Sequence, residues 1–464
     1  MVMVNNVQAI VVRPSTRAFY AVLLFRIVSA PAAREFLRDW ALDAPGGQSP
    51  EPPGAGTFHV MFSWQGIERL LADRAGFDLA EGRAAFEPFF VDPKHGPGSL
   101  AMAEQLGFTG GSAPAGWWDG FASEDIDLAL YATFEDEAQR TLALSAIRES
   151  ARTKGLEELE VEAFPQRALT GFRPDGGRLH FGYRDGVTAP AVNWQEAPVP
   201  GGVDYREFIL GYPNAVYPTP PQRPGTWQEF AKEGSFACLS WIYQDVAAFN
   251  AFLRETAASV SGLSGEAAPE EWLASRVMGR WRDGSPVAVH PDRAPPAADL
   301  DDRFDYAEDP RGERCPLTAH IRVAYGRDQP MSFPNRVRFP NGAPRLMRRG
   351  FSYGPPLAGT EDDGRDRGVV GFFFCGRVNE QFYTVLRWMQ QTDFSDVFEG
   401  QPEGLKRQDA LTGQRPHGAT NPNLLLENAD GKSVEIGLRS FIRYRGVAVL
   451  FAPSLSSIRL LAGA

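Results

Sequence analysis

A short apolar segment followed by a longer amphipathic one occurs four times along this 464-residue chain. The short segments cover residues 20–27, 126–133, 235–243 and 368–375. They are rich in β-branched and aromatic residues, which is typical of strands. The segments that follow have helical spacing: Phe382, Val385, Leu386 and Met389, for example, fall on one stripe of a helix. The pattern therefore predicts four strand–helix units.

The four units form two pairs, one in each half of the chain. Asp136 and Asp245 stand where the N-caps of the second and third helices are expected. Strand–helix units also recur by chance, but the matched order and spacing favour a duplication. We expect an α+β fold of two ferredoxin-like domains, each an antiparallel sheet covered on one face by helices.

A stretch rich in proline and glycine, residues 219–230, is predicted to connect the two halves. This places the N-terminal domain at residues 1–217 and the C-terminal domain at residues 231–464. Three further segments are predicted to be long loops, because proline or glycine interrupts them: residues 44–56, 291–312 and 400–423. Loops of this length usually carry function or are disordered.

The formal net charge of −11 argues against a nucleic-acid partner, because binding to phosphates requires a basic surface. The three cysteines, Cys238, Cys315 and Cys375, form no CxxC pair, so neither a disulfide framework nor a structural zinc site is expected. No run of residues reaches the roughly 18 apolar positions of a membrane span, and the N-terminal segment lacks the pattern of a secretory signal. We therefore expect a cytoplasmic protein with no membrane partner, and the sequence is compatible with an oligomer.

Common catalytic motifs are absent from the sequence. It contains no GxxxxGK[ST], HExxH or GxSxG, and no GxGxxG follows a strand. Nucleotide-driven, zinc-protease and serine-hydrolase chemistry therefore lose support. Histidine is scarce, with six residues, so a mechanism that needs several histidines must draw them from distant segments.

The first candidate for chemistry is Asp185, which lies between Arg184 and Gly186 in an aromatic-rich segment. Glycine permits a close approach of the backbone in a turn. Aromatic neighbours indicate packing against an apolar region, and a carboxylate at the edge of such a region can transfer protons. Taken alone, the local sequence is more typical of an Asp-Gly turn at the surface.

The second and third candidates are His320 and Arg348. His320 lies among apolar and small residues, where a neutral imidazole can ligate haem iron. A core histidine with its hydrogen bonds satisfied is the commoner explanation of that motif alone. Arg348 follows Leu346 and Met347, so its guanidinium could lie partly buried and stabilise negative charge on oxygen. Alone, its segment is only a basic loop.

Taken together and in this order, the three segments resemble those of the dye-decolorizing peroxidase family, most closely its longer bacterial branch. The matching elements are Gly-x-x-Asp-Gly at 182–186, Cys-Pro at 315–316 with Ala-His-Ile-Arg at 319–322, and Arg-Arg-Gly-x-x-Tyr-Gly at 348–354. Further similarity runs through residues 279–281, 304–316, 366–374 and 441–461, so it covers most of the chain. The family's fold is two ferredoxin-like domains, with haem held mainly by the second.

The resemblance implies a haem-dependent peroxidase that uses hydrogen peroxide to oxidise bulky aromatic or dye-like donors in one-electron steps. The implied cofactor is haem b, with one iron per chain. His320 would bind the iron from the proximal side, and Asp185 and Arg348 would be catalytic on the peroxide side. A group on that side would move the peroxide proton to the leaving oxygen, while Arg348 would stabilise charge. The remaining predicted haem contacts are Gly186, Arg327, Phe372 and Phe373.

Three features depart from the family pattern or extend it. Tyr325-Gly326 stands where relatives often have Asn-Pro, which removes an expected hydrogen bond, while Arg327 would still contact a haem propionate. Gly371 replaces a bulky residue, so the pocket would be wider or would be lined by Phe372 or Phe373. Glu380 is a candidate acceptor that orients His320, with a solvated helix face as the alternative.

Two other functions remain compatible with the sequence. A haem carrier or sensor without turnover would use the same His320 but would need neither Asp185 nor Arg348. A haem-free scaffold would result if the altered residues 325–326 spoil the pocket. Tyr325, Tyr353 and Trp388 are candidates, by position, for electron transfer from a bulky donor, although packing is the commoner role of such side chains.

Overall fold

The computed structural model describes the whole chain except residues 1, 55, 93–101, 104–105, 123–124, 214–223, 330, 334–335, 340–343, 391–407, 415–420 and 428–431. Its strands are β1 (Phe19–Ile27), β2 (Thr57–Phe62), β3 (Leu128–Phe134), β4 (Leu156–Glu158), β5 (Leu169–Phe172), β6 (Val192–Asn193), β7 (Val203–Asp204), β8 (Ser235–Gln244), β9 (Met331–Phe333), β10 (Arg336–Phe339), β11 (Met347–Tyr353), β12 (Gly368–Cys375), β13 (Asn421–Glu427), β14 (Ser433–Leu438) and β15 (Ile442–Ala452).

The α-helices are Ala9–Val12, Ala30–Trp40, Trp64–Leu71, Leu79–Ala85, Pro88–Val91, Asp119–Ala122, Glu137–Thr153, Thr226–Ala231, Val246–Val260, Pro269–Met278, His320–Ala324, Thr384–Gln390 and Leu455–Ala462. A π-helical turn, Val378–Tyr383, leads directly into the helix Thr384–Gln390. Short 3-10 turns occur at Val4–Asn6, Gly110–Ser112, Pro114–Gly116, Asp175–Gly177 and Tyr205–Glu207. No helix within the described ranges combines the length and the apolar character that a membrane span requires.

The four predicted strand–helix units are present. β1, β3, β8 and β12 lie within two residues of the predicted bounds, and a helix follows each of them. Asp136 caps its helix by accepting a 2.8 Å hydrogen bond from the backbone N–H of Gln139. Asp245 does the same for Ala248 at 3.1 Å. Both N-cap predictions are therefore confirmed.

Each half of the chain contributes four antiparallel strands in the same spatial order. In the N-terminal half the order is β2-β3-β1-β5, and in the C-terminal half it is β11-β12-β8-β15. Numbered within each half, both orders place the first strand between the third and the fourth. This is the ferredoxin-like arrangement, so the predicted α+β fold with a duplicated design is confirmed.

The two sheets join at both edges, which the sequence did not predict. Ser352 of β11 pairs with Phe172 of β5, and Phe451 of β15 pairs with Phe62 of β2. Because β3 also pairs with β1, the eight strands form a closed ring. Because the ring is closed, one face of each strand is directed into the ring and the other face is directed towards the helices.

Aromatic side chains fill the inside of the ring. Tyr20 stacks on Phe351 with ring centroids 5.2 Å apart, and Tyr131 meets Phe372 edge to face at 5.5 Å. On the outside, side chains such as Phe25 pack against the helices. Burial of each large apolar side chain stabilises the fold by about 1.5–3 kcal/mol. The shared interior therefore holds the two halves together.

The predicted connection is wrong in its second part. Thr226–Ala231 is helical, and Trp227 is buried there against Trp64, with ring centroids 5.4 Å apart. The aromatic residues of this segment make it part of the core, although its prolines and glycine suggested a loop. Residues 214–223, the first part of the connection, lie outside the described residues. The loop predicted at 291–312 is confirmed, since it contains no helix or strand.

Candidate functional site

His320 begins a short helix whose backbone is fixed by a buried ion pair. Arg322, two residues later, is fully buried and donates to Asp309 Oδ2 at 2.9 Å. Asp309 also accepts from the backbone N–H of Cys315 at 2.9 Å. Both ends of the segment 315–322 are therefore tied to one carboxylate, which explains why a helix of five residues keeps a defined position. The His320 side chain remains 19% exposed.

Asp409 orients the His320 ring. The Nδ1 atom of His320 lies 2.8 Å from Oδ2 of Asp409, whose side chain is fully buried. The other carboxylate oxygen accepts hydrogen bonds from the backbone N–H groups of Leu411 at 2.9 Å and Thr412 at 2.8 Å. Burial alone would raise the pKa of Asp409, but the His320 ring and the two N–H groups outweigh it and hold the pKa below the usual value. The carboxylate is therefore ionised.

The ionised carboxylate sets the tautomer of His320. A carboxylate can only accept, so the Nδ1 atom carries the proton and donates it to Asp409. The Nε2 atom then has a free lone pair, and it makes no hydrogen bond to any residue that the structure describes. An oriented imidazole with a free Nε2 atom is the arrangement of a metal-ligating histidine whose second nitrogen is held by a carboxylate.

Arg348 and Phe373 share the outer face of the ring of strands. They pair directly in the antiparallel register of β11 and β12. Arg348 is exposed, and its side chain has no hydrogen bond or ion pair with another described residue. Its guanidinium is therefore available to a ligand.

Arg349 and Phe372 point the opposite way, into the ring. Arg349 donates to the backbone carbonyl of Ile10 at 2.8 Å, and Phe372 is fully buried against Tyr131. Phe372 therefore lies on the wrong face to line a pocket with Arg348, and the prediction that it contacts haem is corrected. Phe373 lies on the same face as Arg348, and its predicted haem contact stays a prediction.

Two contacts bring the Arg348 strand close to the His320 helix. The guanidinium of Arg345 stacks on the ring of Tyr325 at 3.7 Å, and Tyr325 directly follows the helix that His320 begins. The Phe373 ring meets Phe382 at 5.4 Å. Phe382 belongs to the π-helical turn, and the helix that continues it packs through Val385 and Trp388 against the His320 segment. The helix Thr384–Gln390, with the π-helical turn before it, thus connects the outer face of the ring that carries Arg348 with the His320 segment.

The Asp185 loop reaches the same region through the segment 279–284. The backbone N–H of Arg184 donates to the carbonyl of Arg282 at 3.1 Å. A Cβ atom built on Gly279 would lie 3.3 Å from the Cβ atom of Ala319, so this segment also touches the residue before His320. Asp185 is exposed, and its side chain pairs with no described residue. Gly186 has a φ of +77°, as expected for a glycine in a tight turn.

Arg327 is buried, with a positive φ of 56° that non-glycine residues rarely adopt. Its guanidinium pairs with Asp302 and lies 3.8 Å above the ring of Phe304. Asp302 also pairs with Arg280 at 2.5 Å, so two buried guanidinium groups share one carboxylate. Arg327, Arg280 and Asp302 together have a net positive charge, which suits a carboxylate ligand such as a propionate. A haem contact by Arg327 stays a prediction.

The three main candidates thus lie around one region without touching one another. No hydrogen bond or ion pair among the described side chains joins Asp185, Arg348 and His320. Glu380 was a candidate for orienting His320, with a solvated helix face as the alternative. Asp409 contacts the His320 ring instead, and Glu380 lies 3.8 Å from Arg377. Asp409 was missed because it follows His320 by 89 positions in a segment that looks like a loop. The only sequence clue was the length of that loop, 400–423.

The donor set fits haem. His320 offers a free Nε2 atom, Arg348 offers an unpaired guanidinium, and Phe373 offers an aromatic wall on the same face as Arg348. Haem iron is commonly held by one histidine, with polar donors and apolar walls deciding the chemistry on the opposite side. These residue types therefore match what a haem peroxidase needs, and proton transfer by Asp185 stays a prediction.

No family model matches the chain. A dye-decolorizing peroxidase of Mycetinis scorodonius is 28% identical over 313 residues, which are 61% of this chain and 56% of that protein. One of Auricularia auricula-judae is 28% identical over 303 residues, with the same two coverages. A multifunctional dye peroxidase of Amycolatopsis is 26% identical over 392 residues, 80% of this chain and 78% of that protein. The chain therefore spans little more than half the length of the first two relatives.

Solved structures extend the similarity to the whole fold. A fungal DyP-type peroxidase from Auricularia auricula-judae has a TM-score of 0.76 at 20% identity, over 100% of this chain and 99% of its own. A dye-decolorizing peroxidase in complex with 2,6-dimethoxyphenol has a TM-score of 0.75 at 20% identity, over both entire chains. Because the relatives found are mostly fungal, they do not single out the longer bacterial branch. The chain thus has the fold of the dye-decolorizing peroxidases, and its resemblance to that family, drawn first from three short segments, is confirmed.

Proposed function

We propose that this protein is a haem-dependent peroxidase that uses hydrogen peroxide to oxidise bulky aromatic or dye-like donors in one-electron steps. One observation carries the proposal: a buried carboxylate, Asp409, holds His320 so that its Nε2 atom is free. The sequence similarity to dye-decolorizing peroxidases supports the same reaction. A relative bound to 2,6-dimethoxyphenol supports a phenolic donor.

His320 would bind the iron through Nε2, and Arg327 with Gly186 and Phe373 would complete the contacts. Haem, when bound, supplies the redox centre at which peroxide is reduced and the donor is oxidised. We propose haem b with one iron per chain. The chain contains no CxxCH motif, which would indicate covalent attachment of haem through thioether bonds.

Asp185 and Arg348 would do the chemistry that the protein itself provides. A carboxylate oxygen of Asp185 would take a proton from one oxygen of the peroxide and return it to the other oxygen, which leaves as water. The guanidinium of Arg348 would stabilise the negative charge that develops as the O–O bond breaks. Asp409 would keep the His320 ring in one orientation throughout.

The location and the domain limits are also proposals. All three cysteines are buried and carry free thiols, which supports a reducing compartment such as the cytoplasm. The ferredoxin-like strand groups support domains at 1–217 and 231–464. The helix Leu455–Ala462 nevertheless packs against Ala30–Trp40, so the C-terminal end of the chain contributes to the N-terminal half.

The test is a visible absorption spectrum of protein expressed with a haem precursor, compared with His320→Ala. We expect a Soret band in the natural protein that is lost or strongly altered in the variant. Rapid mixing with hydrogen peroxide should then change the spectrum, and 2,6-dimethoxyphenol should restore it while being oxidised.

The two alternatives give different results in the same experiment. A haem carrier or sensor would show the Soret band but would not turn over peroxide, and Asp185→Asn or Arg348→Leu would change nothing. A haem-free scaffold would stay colourless even after reconstitution with haem. Either result would overturn the proposed function.

A further inference from the structure

Two glycines face each other beside Arg348, on the outer surface of the ring of strands. Gly350 of β11 pairs with Gly371 of β12, two positions from the Arg348–Phe373 pair. Gly350 is exposed and Gly371 partly exposed, whereas Ser240, which pairs with Gly371 from β8, is fully buried. The outer surface therefore has a strip without side chains that is two strands wide, next to the candidate site.

Packing requires only one of these glycines. A Cβ atom on Gly350 would lie 2.7 Å from the carbonyl oxygen of Val370, so a side chain does not fit there. A Cβ atom on Gly371 would lie 3.3 Å from Cε2 of the Phe373 ring, with its other near neighbours at 3.6 and 3.9 Å. Gly371 also has no positive φ. The backbone does not explain why position 371 lacks a side chain, and the one close neighbour, the partly exposed ring of Phe373, would need to move by only a few tenths of an ångström to admit a Cβ atom.

Glycine inside a strand is destabilising, and it often marks a place where a ligand approaches the backbone closely. The surroundings of Gly371 indicate which ligand. Arg348 can hold charged or polar oxygens, and the partly exposed ring of Phe373 provides an apolar surface on the same face. A molecule that fits both has oxygen at one end and an apolar group at the other.

We propose that the strip at Gly371 admits the organic group of a hydroperoxide, so that the oxidants of this protein include alkyl and aryl hydroperoxides. The inference rests on the proposed function. The O–O bond of ROOH breaks, two one-electron donors are oxidised, and two protons are taken up to give ROH and water. Arg348 would contact the peroxide oxygens, while the R group would lie over Gly371 against Phe373.

Ligand binding to the ferric holoprotein tests the shape of the strip without turnover. The probes are cyanide, imidazole and 4-phenylimidazole, titrated by visible absorption in the natural protein, Gly371→Ala and Gly371→Leu. The control is Gly359→Leu, because Gly359 is exposed in a loop and a Cβ atom there would meet nothing within 4 Å. A parallel assay compares the rates of spectral change with cumene hydroperoxide and with hydrogen peroxide.

We expect 4-phenylimidazole to bind the natural protein and the control alike. Its affinity should fall about tenfold or more in Gly371→Leu, while that of cyanide changes less than about threefold. In the Gly371 variants, the rate of spectral change with cumene hydroperoxide should decrease in parallel with the affinity for 4-phenylimidazole. Equal affinity for 4-phenylimidazole in natural protein and Gly371→Leu, or no binding of it to the natural protein, overturns the inference.

The Gly371→Ala variant decides the question if Gly371→Leu does not fold. Its Cβ atom needs only a small displacement of Phe373, so the strand should form. A loss of about threefold in affinity for 4-phenylimidazole supports the inference, and an unchanged affinity contradicts it. Failure to bind haem or cyanide would instead count against the proposed function, so the two failures are distinguishable.

Discussion

His320 and Asp409 lie 89 positions apart in the sequence, and a hydrogen bond of 2.8 Å joins Nδ1 of the ring to Oδ2 of the carboxylate. The backbone around Asp409 is fixed as well, since its N–H donates to the carbonyl of Met389 at 2.8 Å. The next residue, Ala410, donates to the carbonyl of Thr318 at 2.8 Å. The carboxylate is therefore held by both the helix Thr384–Gln390 and the segment before His320.

Replacing Asp409 with asparagine should weaken this control of the ring. The amide that replaces the carboxylate would keep its volume but lose the negative charge, so the proton on Nδ1 of His320 would be held less firmly. We expect a loss of roughly 10–100-fold in haem affinity or in peroxidase activity, as is typical for residues that orient a metal ligand. Haem transfer to apomyoglobin measures the affinity, and the position of the Soret band measures the change in ligation.

Asp127→Asn is the matched control. Asp127 is also buried, and it accepts a hydrogen bond of 2.7 Å from the backbone N–H of Ile27. It belongs to the N-terminal half, far along the chain from His320. This substitution should lower stability without changing the Soret band. A spectrum of Asp409→Asn identical to that of the natural protein would show that Asp409 does not orient His320.

Substitutions of the neighbouring residues Arg348 and Arg349 should have different effects, one on peroxide cleavage and the other on stability. Arg348→Leu should lower the rate of peroxide cleavage by about 10²–10³-fold, the effect of removing one donor that stabilises developing charge. Haem binding and stability should change little, because the Arg348 side chain has no partner among the described residues. Rapid mixing with peroxide measures the rate.

Arg349→Leu should instead lower the free energy of unfolding. Burial lowers the pKa of Arg349 to about 10, and its guanidinium donates to the carbonyls of Ile10 at 2.8 Å and Val11 at 3.1 Å. Removing it leaves buried carbonyls without a partner, which costs about 1–3 kcal/mol for each group. Urea unfolding measures this loss. If Arg349→Leu slowed peroxide cleavage more than Arg348→Leu at equal stability, the assignment of the two faces would be wrong.

The sequence predicted the fold well because strand and helix patterns are local. The bounds of β12 were predicted without error, since the charged pair Asp366-Arg367 before the strand and Gly376-Arg377 after it frame a run of apolar residues and glycine. The closure of the two sheets into a ring was not predictable, because it depends on edge pairings such as Ser352 with Phe172. Those residues are far apart along the chain and carry no local pattern.

The site was predictable only where its residues stand in recognisable segments. His320, Arg348 and Asp185 lie in such segments, whereas Asp409 lies in a loop that the structure describes only between residues 408 and 414. The error at Phe372 has a simple origin. Successive residues in a strand point to opposite faces, so a choice between Phe372 and Phe373 requires the register with Arg348.

Two glycines of the Asp185 loop should differ in how well they tolerate alanine. Gly182 and Gly186 both have positive φ, of 87° and 77°, so alanine costs about 1–2 kcal/mol at either position. A Cβ atom on Gly182 would also lie 2.3 Å from Nη1 of Arg282, which donates to the carbonyl of Phe181. A Cβ atom on Gly186 would meet nothing within 4 Å.

Gly182→Ala should therefore lose more stability than Gly186→Ala, by about 0.5–1.5 kcal/mol, the value of one hydrogen bond. It should also shift the loop and lower activity further. Thermal or urea unfolding of the two variants measures the difference. Equal losses would mean that Arg282 moves aside freely, and that its bond to Phe181 does not hold the loop.

His59 should make the protein less stable as the pH falls. It is buried inside the ring near Tyr131, and its Nδ1 atom is buried without a hydrogen-bond partner among the described residues. Burial lowers the pKa of His59 to about 3, whereas the charge of Glu51 opposes that shift and Arg13 adds to it. The unfolded chain takes up a proton on this residue below about pH 6.5, while the folded protein does so only near pH 3.

Between these two values the unfolded state binds one more proton than the folded state, so stability is lost as the pH falls, by about 1.4 kcal/mol for each pH unit. His59→Phe removes the titrating group and keeps an aromatic ring. Its free energy of unfolding should therefore fall by about 2 kcal/mol less than that of the natural protein between pH 7 and pH 5. Urea unfolding followed by circular dichroism at both pH values measures this difference. Equal losses in the two proteins would mean that His59 is already protonated in the folded state, or that the interior of the ring admits water to it.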